Sequence, residues 1–274
     1  MNEPLVAAPT NTAAPCCKTI FKAAEVGHVN CFNDCFAEEV KRIEAKHGGA
    51  EEAAAAVLSQ RIFGTTVLHE ASSHARFEMV KELLNLGADP LAVDSMGMSC
   101  TMLVTTADGV GNEVKFKITD LLLTAGVSLA AVNHHGSTAL SYAVMDLNLP
   151  LMEFLLKRGA PVNIGGSWKP LQLLTCVCPI HPARPLLAGA LLLLRHGARV
   201  NESSPVGPPL FGSIRQRAHF CARVLVAHGA DVDRQPLMYA IETEGTLTRP
   251  SIPVYESSSV GTLMAALLRN GSLP

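Results

Sequence analysis

The residues of this sequence with the clearest capacity for chemistry are its cysteines and histidines, which could coordinate a metal ion. One group has the spacing Cys-x-Cys-x-x-His and comprises Cys176, Cys178 and His181. His196 and Cys221 could complete four ligands, but no second closely spaced ligand pair is visible, as a zinc site usually has. We therefore favour a surface loop with incidental thiols. A metal- or redox-responsive regulator acting through this loop stays the alternative function.

A second group of such residues lies near the N-terminus. His28, Cys31 and Cys35 are spaced i, i+3 and i+7, so they share one face of a predicted helix, and Cys16 and Cys17 could lie near it. The CxxC pairs of many zinc sites are absent, and cysteines in helices rich in small residues ordinarily belong to the packed core. The sequence therefore favours structural cysteines here and predicts neither a metal site nor a cofactor.

Other function classes lack support in the sequence. It contains no GxSxG, HExxH, P-loop or GxGxxG motif, so we expect no enzyme. The net charge of -2 argues against nucleic-acid binding. The longest apolar run is about half of the roughly 20 residues that a membrane helix needs. With eight irregularly spaced cysteines and no secretory leader, we expect reduced thiols and a cytoplasmic location, with the nucleus as the alternative.

The elements that must position these residues are set by an internal repeat. The phrase Leu-x-x-Gly-Ala, or a close variant, recurs at intervals of 32 to 42 residues. Its glycines are Gly87, Gly126, Gly159, Gly197, Gly229 and Gly271. A second phrase precedes each glycine, as in TTVLHEA at 65–71 and STALSYA at 137–143. A period of this length is typical of a solenoid, in which each repeat is one supersecondary unit.

The best copy of the second phrase reads T-V-L-H-E-A at 66–71 and is followed by Leu83, Leu84 and Gly87. On these motifs the chain resembles the ankyrin repeat family, whose signature is T-P-L-H-x-A, over about residues 19 to 271. The resemblance implies an all-α solenoid of about six or seven helix pairs with short hairpin turns. It also implies two segments: a flexible N-terminal tail at 1–18 and a repeat domain at 19–274.

The distance from the signature leucine to the helix-ending glycine separates regular copies from interrupted ones. It is 19 residues from Leu68, Leu140 and Leu210. The copies that begin at Leu103, Leu171 and Leu237 carry insertions of 4, 7 and 15 residues between their two helices. Insertions of this kind map to loops on one face of a solenoid.

The signature threonines are predicted to start the first helices. Thr66, Thr101 and Thr138 stand where a hydroxyl can cap a helix N-terminus. The resemblance also implies a hydrogen bond between the signature threonine and histidine. His69 is the only histidine at that position, so we expect this bond in one repeat and looser turns in the others.

The resemblance further implies binding of another protein by the concave face, which hairpin tips and first helices build. The positions that carry over are Asp94, Met96, His134, His135, Tyr142, Trp168 and Arg215. Trp168 is the candidate anchor, because a Trp on a projecting turn suits an interface, although packing against its own repeat is an equal alternative. Arg215 belongs to a basic strip whose alternative role is a solvated face. We expect a monomeric, non-catalytic interaction module or adaptor.

Overall fold

The computed structural model describes residues 17–47, 49–166, 169–176, 183–202, 207–215 and 219–231. These residues form thirteen helices: α1 (Ile20–Val26), α2 (Val29–His47), α3 (Ala50–Leu58), α4 (Val67–Ser73), α5 (Phe77–Asn85), α6 (Cys100–Thr106), α7 (Asn112–Thr124), α8 (Ala139–Met145), α9 (Leu149–Lys157), α10 (Pro170–Cys176), α11 (Ala183–Arg195), α12 (Pro209–Arg215) and α13 (His219–Ala227). Within the described ranges the only extended pairing consists of two isolated bridges, Ile62–Thr65 and Val93–Ser99.

The helices pack as six pairs in two layers. The first helices α1, α4, α6, α8, α10 and α12 contact one another in that order, and so do the second helices α2, α5, α7, α9, α11 and α13. This arrangement confirms the predicted all-α solenoid of stacked helix pairs. The extra helix α3 packs against the long α2.

The core is built from the recurring leucines of the second helices. The first leucine of each pair is fully buried in all five described copies: Leu83, Leu122, Leu155, Leu193 and Leu225. Leu140 of α8 is buried to the same extent between the two layers. Because these residues touch neighbouring pairs, each repeat depends on the repeats beside it.

Glycines end the second helices, as the sequence predicts. Gly159 follows α9 with φ 86°, in the left-handed region that side-chain-bearing residues avoid. A Cβ added there would meet nothing within 4 Å, so this glycine is required by the backbone alone.

The capping prediction is confirmed at two of its three positions. Thr66 and Thr138 are N-cap residues, and each accepts a hydrogen bond from the backbone N–H three residues later. Thr101 does not cap α6: Ser99 is the N-cap residue, and Thr101 is buried in the position that Leu68 holds in α4. The alignment by Leu103 was therefore wrong by two residues, and the insertion between α6 and α7 is two residues longer than the predicted four.

Threonine–histidine bonding is found between Thr66 and His69, as expected, whereas the expectation of looser turns elsewhere was wrong for the repeat that contains Gln172. Nδ1 of His69 accepts from the Thr66 N–H at 3.2 Å, and Nε2 faces the Ala92 carbonyl at 3.1 Å. Gln172 does the same work in its repeat: Oε1 accepts from the Lys169 N–H at 3.1 Å, and Nε2 donates to the Glu202 carbonyl at 2.5 Å. A planar amide thus replaces the imidazole.

Candidate functional site

The turns between helix pairs form a row, which we call the tip row and define as residues 61–65, 93–99, 132–138 and 162–166. Hydrogen bonds join successive turns, through the main chain from the second turn to the fourth and through the Arg61 side chain from the first turn to the second. The His134 N–H donates to the Met96 carbonyl at 3.0 Å, and the Gly166 N–H donates to the Gly136 carbonyl at 2.6 Å. Arg61 donates through Nη1 to the carbonyls of Gly64 and Val93, at 2.8 and 2.7 Å. Main-chain bonds therefore join the last three tips to one another, and the Arg61 side chain joins the first tip to the second.

Glycines allow this close approach of neighbouring tips. Gly136 has φ 74°, and a Cβ placed on it would lie 2.6 Å from the Gly166 nitrogen. A Cβ on Gly97 would lie 2.8 Å from Cδ2 of His134, because the His134 ring sits over that glycine. Both positions need glycine for its conformation and for its lack of a side chain.

One position recurs on three successive tips, three residues before the N-cap residue of the following helix. It is held by Phe63, Met96 and His135. Phe63 is 95% exposed and has φ 51°, and Met96 is 48% exposed. His135 is also exposed. Sequence reasoning named Met96 and His135 but missed Phe63, although the same offset from Thr66 would have found it.

The tip row carries most of the exposed large apolar side chains in the described part of the chain. Nine such residues occur there, and six lie in the tip row: Ile62, Phe63, Val93, Met96, Val132 and Ile164. Clustered exposed apolar residues mark interaction surfaces more often than isolated ones do.

Two of the candidate contacts shape the tips instead of projecting from them. Oδ1 of Asp94 accepts from the N–H groups of Met96 and Met98, both at 2.8 Å. The hydroxyl of Tyr142 accepts from Nδ2 of Asn133 at 2.7 Å and donates to Sδ of Met98 at 3.2 Å. Tyr142 is half-buried. Because its hydroxyl bonds to Met98 in the second tip and to Asn133 in the third, it connects these two tips.

The other candidates have different positions. His134 is exposed in the third tip. Trp168 lies outside the described residues. Arg215 is the last residue of α12, and its side chain is outside the description. The Cys-x-Cys-x-x-His loop also falls outside: Cys176 ends α10, and residues 177–182 are not described.

The insertion between α6 and α7 frames a shallow cleft, in which Lys115 is the notable side chain. Its ammonium group is buried and donates to the Thr105 carbonyl at 2.8 Å, near the end of α6. Burial lowers the pKa of Lys115, while Asp146 and Asp108 act in the opposite direction. Lys115 therefore satisfies the Thr105 carbonyl, which lies in the last turn of α6.

The N-terminal cysteines and histidine, considered core residues from the sequence, form a cluster. The sulfurs of Cys17 and Cys31 and a ring nitrogen of His28 lie within 4.8 Å of one another. Sγ of Cys17 is 3.8 Å from Nδ1 of His28, and Sγ of Cys35 donates to the Cys17 carbonyl at 3.4 Å. Burial raises the pKa of the Cys35 thiol, with Glu38 adding to the shift. Cys17 is buried, although the sequence placed it in a tail.

Two comparisons relate the chain to known proteins. The model of the ankyrin repeat family matches residues 63–95 and 135–167, and each match begins at a tip position, Phe63 or His135. The chain is also similar to the glycerophosphocholine phosphodiesterase of Schizosaccharomyces pombe, with 34% identity over 103 residues. That similarity covers 36% of this chain and 9% of the yeast protein. None of the helices in the described ranges has the length and apolarity needed to cross a membrane.

Proposed function

Since this chain is an ankyrin repeat protein, we propose that it is a non-catalytic interaction module that binds another protein through its tip row. The observation that carries the proposal is the presence of six exposed large apolar side chains on four tips, which hydrogen bonds of the main chain and of the Arg61 side chain join in a row. Such side chains are stabilised when a partner covers them. A fixed row of tips also lowers the conformational cost of binding.

Within this surface Phe63 is the proposed anchor. An aromatic side chain supplies a large apolar area with few rotatable bonds, and aromatic residues are enriched among hot spots. Phe63 is 95% exposed, and its left-handed backbone is an unfavourable conformation for a residue with a Cβ. Met96, on the next tip, extends the apolar surface, and methionine adapts its shape to a partner.

The exposed imidazoles give the third tip a different character. His134 and His135 are both exposed and can donate or accept hydrogen bonds at the edge of an apolar contact. Trp168 and Arg215 stay proposed contacts on the strength of the family resemblance. Asp94 and Tyr142 are proposed to act as positioning residues, because their polar atoms hold the tips.

The remaining expectations belong to the same proposal. The chain's small net charge of -2 supports a protein partner in preference to nucleic acid. The absence of a catalytic motif supports a binding role, and the irregular cysteine spacing supports a reducing compartment, the cytoplasm or the nucleus. We propose a monomer.

Affinity purification with mass spectrometry tests the proposal, using the wild type, a Phe63→Ala/Met96→Ala variant and a Leu86→Ala control. Leu86 is an exposed apolar residue at the end of α5, outside the tip row. Truncating a hot-spot aromatic costs about 2 kcal/mol or more, roughly a thirtyfold loss of affinity. We expect partners to be lost from the double variant and kept by the control, with both variants melting near the wild-type temperature. Partners retained by the double variant would place the binding surface elsewhere.

A further inference from the structure

We propose that the first helix pair holds a zinc ion. This proposal does not depend on the proposed partner-binding role. Its four ligands, which we call the N-terminal cluster, are Cys17, His28, Cys31 and Cys35. The first residue precedes α1, the second lies in the turn between α1 and α2, and the last two lie on α2. The site would be of the Cys₃His class, which zinc occupies in tetrahedral structural sites.

The first argument is the spacing of the ligand atoms. Zinc binds sulfur at about 2.3 Å and imidazole nitrogen at about 2.0–2.1 Å, so ligand atoms around a tetrahedral ion lie roughly 3.5–3.8 Å apart. Sγ of Cys17 and Nδ1 of His28 are 3.8 Å apart. With the Cys31 sulfur, the three atoms lie within 4.8 Å of one another. Side-chain rotations that close the largest gap by about 1 Å would complete this part of the shell.

The second argument supplies the fourth ligand. Cys35 lies one helical turn after Cys31, on the same face of α2. Its sulfur is 3.4 Å from the Cys17 carbonyl and is therefore already beside the first ligand residue. The thiol donates to that carbonyl; in the proposed site it gives up this bond and binds the ion as a thiolate.

The third argument is sequence spacing, once the fold has brought Cys17 close. Two residues separate His28 from Cys31, and three separate Cys31 from Cys35. Both separations match the closely spaced ligand pairs of structural zinc sites. The sequence analysis noted these spacings and favoured structural cysteines, because the position of Cys17 in the fold was not part of the pattern.

A role as ordinary core residues accounts for the cluster less well. Cys100 illustrates a core thiol: it is fully buried in the first layer, and burial raises its pKa to about 12. His28, by contrast, is exposed, and Cys31 is only half-buried. An exposed imidazole beside two thiols is polar and accessible, as a metal site must be for an ion to enter.

The position of the site suggests a structural purpose. In the described part of the chain the first helix pair packs against a neighbouring repeat on one side only, so it has less of the interface energy that stabilises repeats with two neighbours. A zinc ion bound by the N-terminal cluster would tie the residues before α1 to α2. The three thiols would release their protons to solvent as they bind, and the binding free energy would add to the stability of the first repeat.

Cobalt titration of the reduced full-length protein tests the proposal, because thiolate-bound tetrahedral cobalt has charge-transfer and d–d absorption bands that zinc abolishes on displacement. We expect one equivalent of cobalt to give these bands in the wild type. His28→Asn and Cys31→Ser should abolish them, whereas Cys100→Ala, which removes a core thiol, should keep them. Zinc should also raise the melting temperature of the wild type and leave that of the two ligand variants unchanged.

Three results would overturn the proposal. They are no stoichiometric binding by the wild type, unchanged bands in His28→Asn or Cys31→Ser, and loss of the bands in Cys178→Ser alone, which would assign the metal to the other Cys/His group. Circular dichroism of metal-free samples checks folding. If Cys31→Ser fails to fold, His28→Asn decides, because the His28 side chain is exposed and its replacement leaves the core intact.

Discussion

The central repeats, α4 to α9, and the N-terminal end, α1 to α3, solve the same packing problem with different residues. In the centre, each first helix starts at a hydroxyl-bearing N-cap residue and each second helix ends at a left-handed glycine. At the end, α1 also starts at a hydroxyl-bearing N-cap residue, Thr19, but α2 runs for 19 residues and α3 packs beside it. The thiols of Cys17 and Cys31 lie there beside the ring of His28. Central repeats share interface energy with a neighbour on each side, whereas the first described helix pair has one neighbouring repeat and is supplemented by an added helix and a cluster of thiols.

The substitution with the greatest predicted cost tests whether each central repeat is stabilised by its contacts with the adjacent repeats. Leu140 is fully buried, so Leu140→Ala should cost about 2–5 kcal/mol in the free energy of unfolding. Hydrogen exchange should show the loss of protection concentrated in α6 to α10, with α1 to α3 little changed. Met145→Ala, at an exposed position of the same helix, should change stability by less than about 0.5 kcal/mol. Uniform loosening along the stack would contradict the nearest-neighbour description.

The next effect separates backbone strain from steric contact in the glycines. Gly159→Ala forces a side chain into a left-handed conformation with open space around it, which costs about 1–2 kcal/mol. Gly136→Ala has the same strain and also drives a Cβ against Gly166 of the next tip. We expect Gly136→Ala to cost clearly more in urea unfolding. Equal losses would mean that the tips separate easily.

A smaller effect compares helix caps in the two regions. Thr138 is fully buried and takes part in a reciprocal capping box with Ser141, so Thr138→Ala should cost about 1–2 kcal/mol. Thr19 caps α1 through one hydrogen bond, from the Lys22 N–H at 3.1 Å, and is exposed. Thr19→Ala should cost about 0.5 kcal/mol. Thermal melts of both variants measure the difference, and an equal cost would show that burial adds nothing to the cap.

The smallest effect concerns pH. Burial lowers the pKa of His69 below its ordinary value near 6.5, despite the proximity of Asp94. Above that ordinary pKa the imidazole is neutral in both states. As the pH falls below it, the unfolded chain takes up a proton that the native state resists, so stability is lost down to the folded-state pKa. His69→Gln, which copies Gln172, should unfold with a weaker dependence on pH between about 7 and 5.

A comparison of chemical denaturation at these two pH values measures that slope. The wild type should lose more stability than His69→Gln on acidification, while the two should be similar near neutral pH, where Gln can accept and donate as Gln172 does. Identical slopes would mean that other groups determine the acid sensitivity.

Local signals in the sequence predicted the fold well where one residue has one role. Glycine with positive φ and threonine with an N-cap hydroxyl are such residues, and Gly159 and Thr138 were placed correctly. The register of α6 was misjudged because Leu103 matched the signature by type, whereas the buried position is occupied by Thr101. Gln172 was overlooked because its equivalence to His69 is a matter of hydrogen-bond geometry rather than residue type.

The candidate sites were harder to predict for a spatial reason. The role of Cys17 depends on the chain turning back from α1, so no local pattern reveals it. Phe63 precedes the first clear signature. Its equivalence to Met96 and His135 is visible only when the three tips are aligned on their N-cap residues. A sequence identifies which residues can act, but the contacts between distant segments decide which of them meet.

Because main-chain hydrogen bonds join the last three tips, exposed residues on these tips can change in evolution while the scaffold is kept. The Met96 carbonyl accepts from the His134 N–H, and the Gly136 carbonyl accepts from the Gly166 N–H. These bonds do not involve the exposed side chains. The position shared by Phe63, Met96 and His135 can thus diversify under selection without disturbing the scaffold. Randomising it in a display library should yield many folded variants with new specificities, which makes the row a natural starting point for engineering affinity reagents.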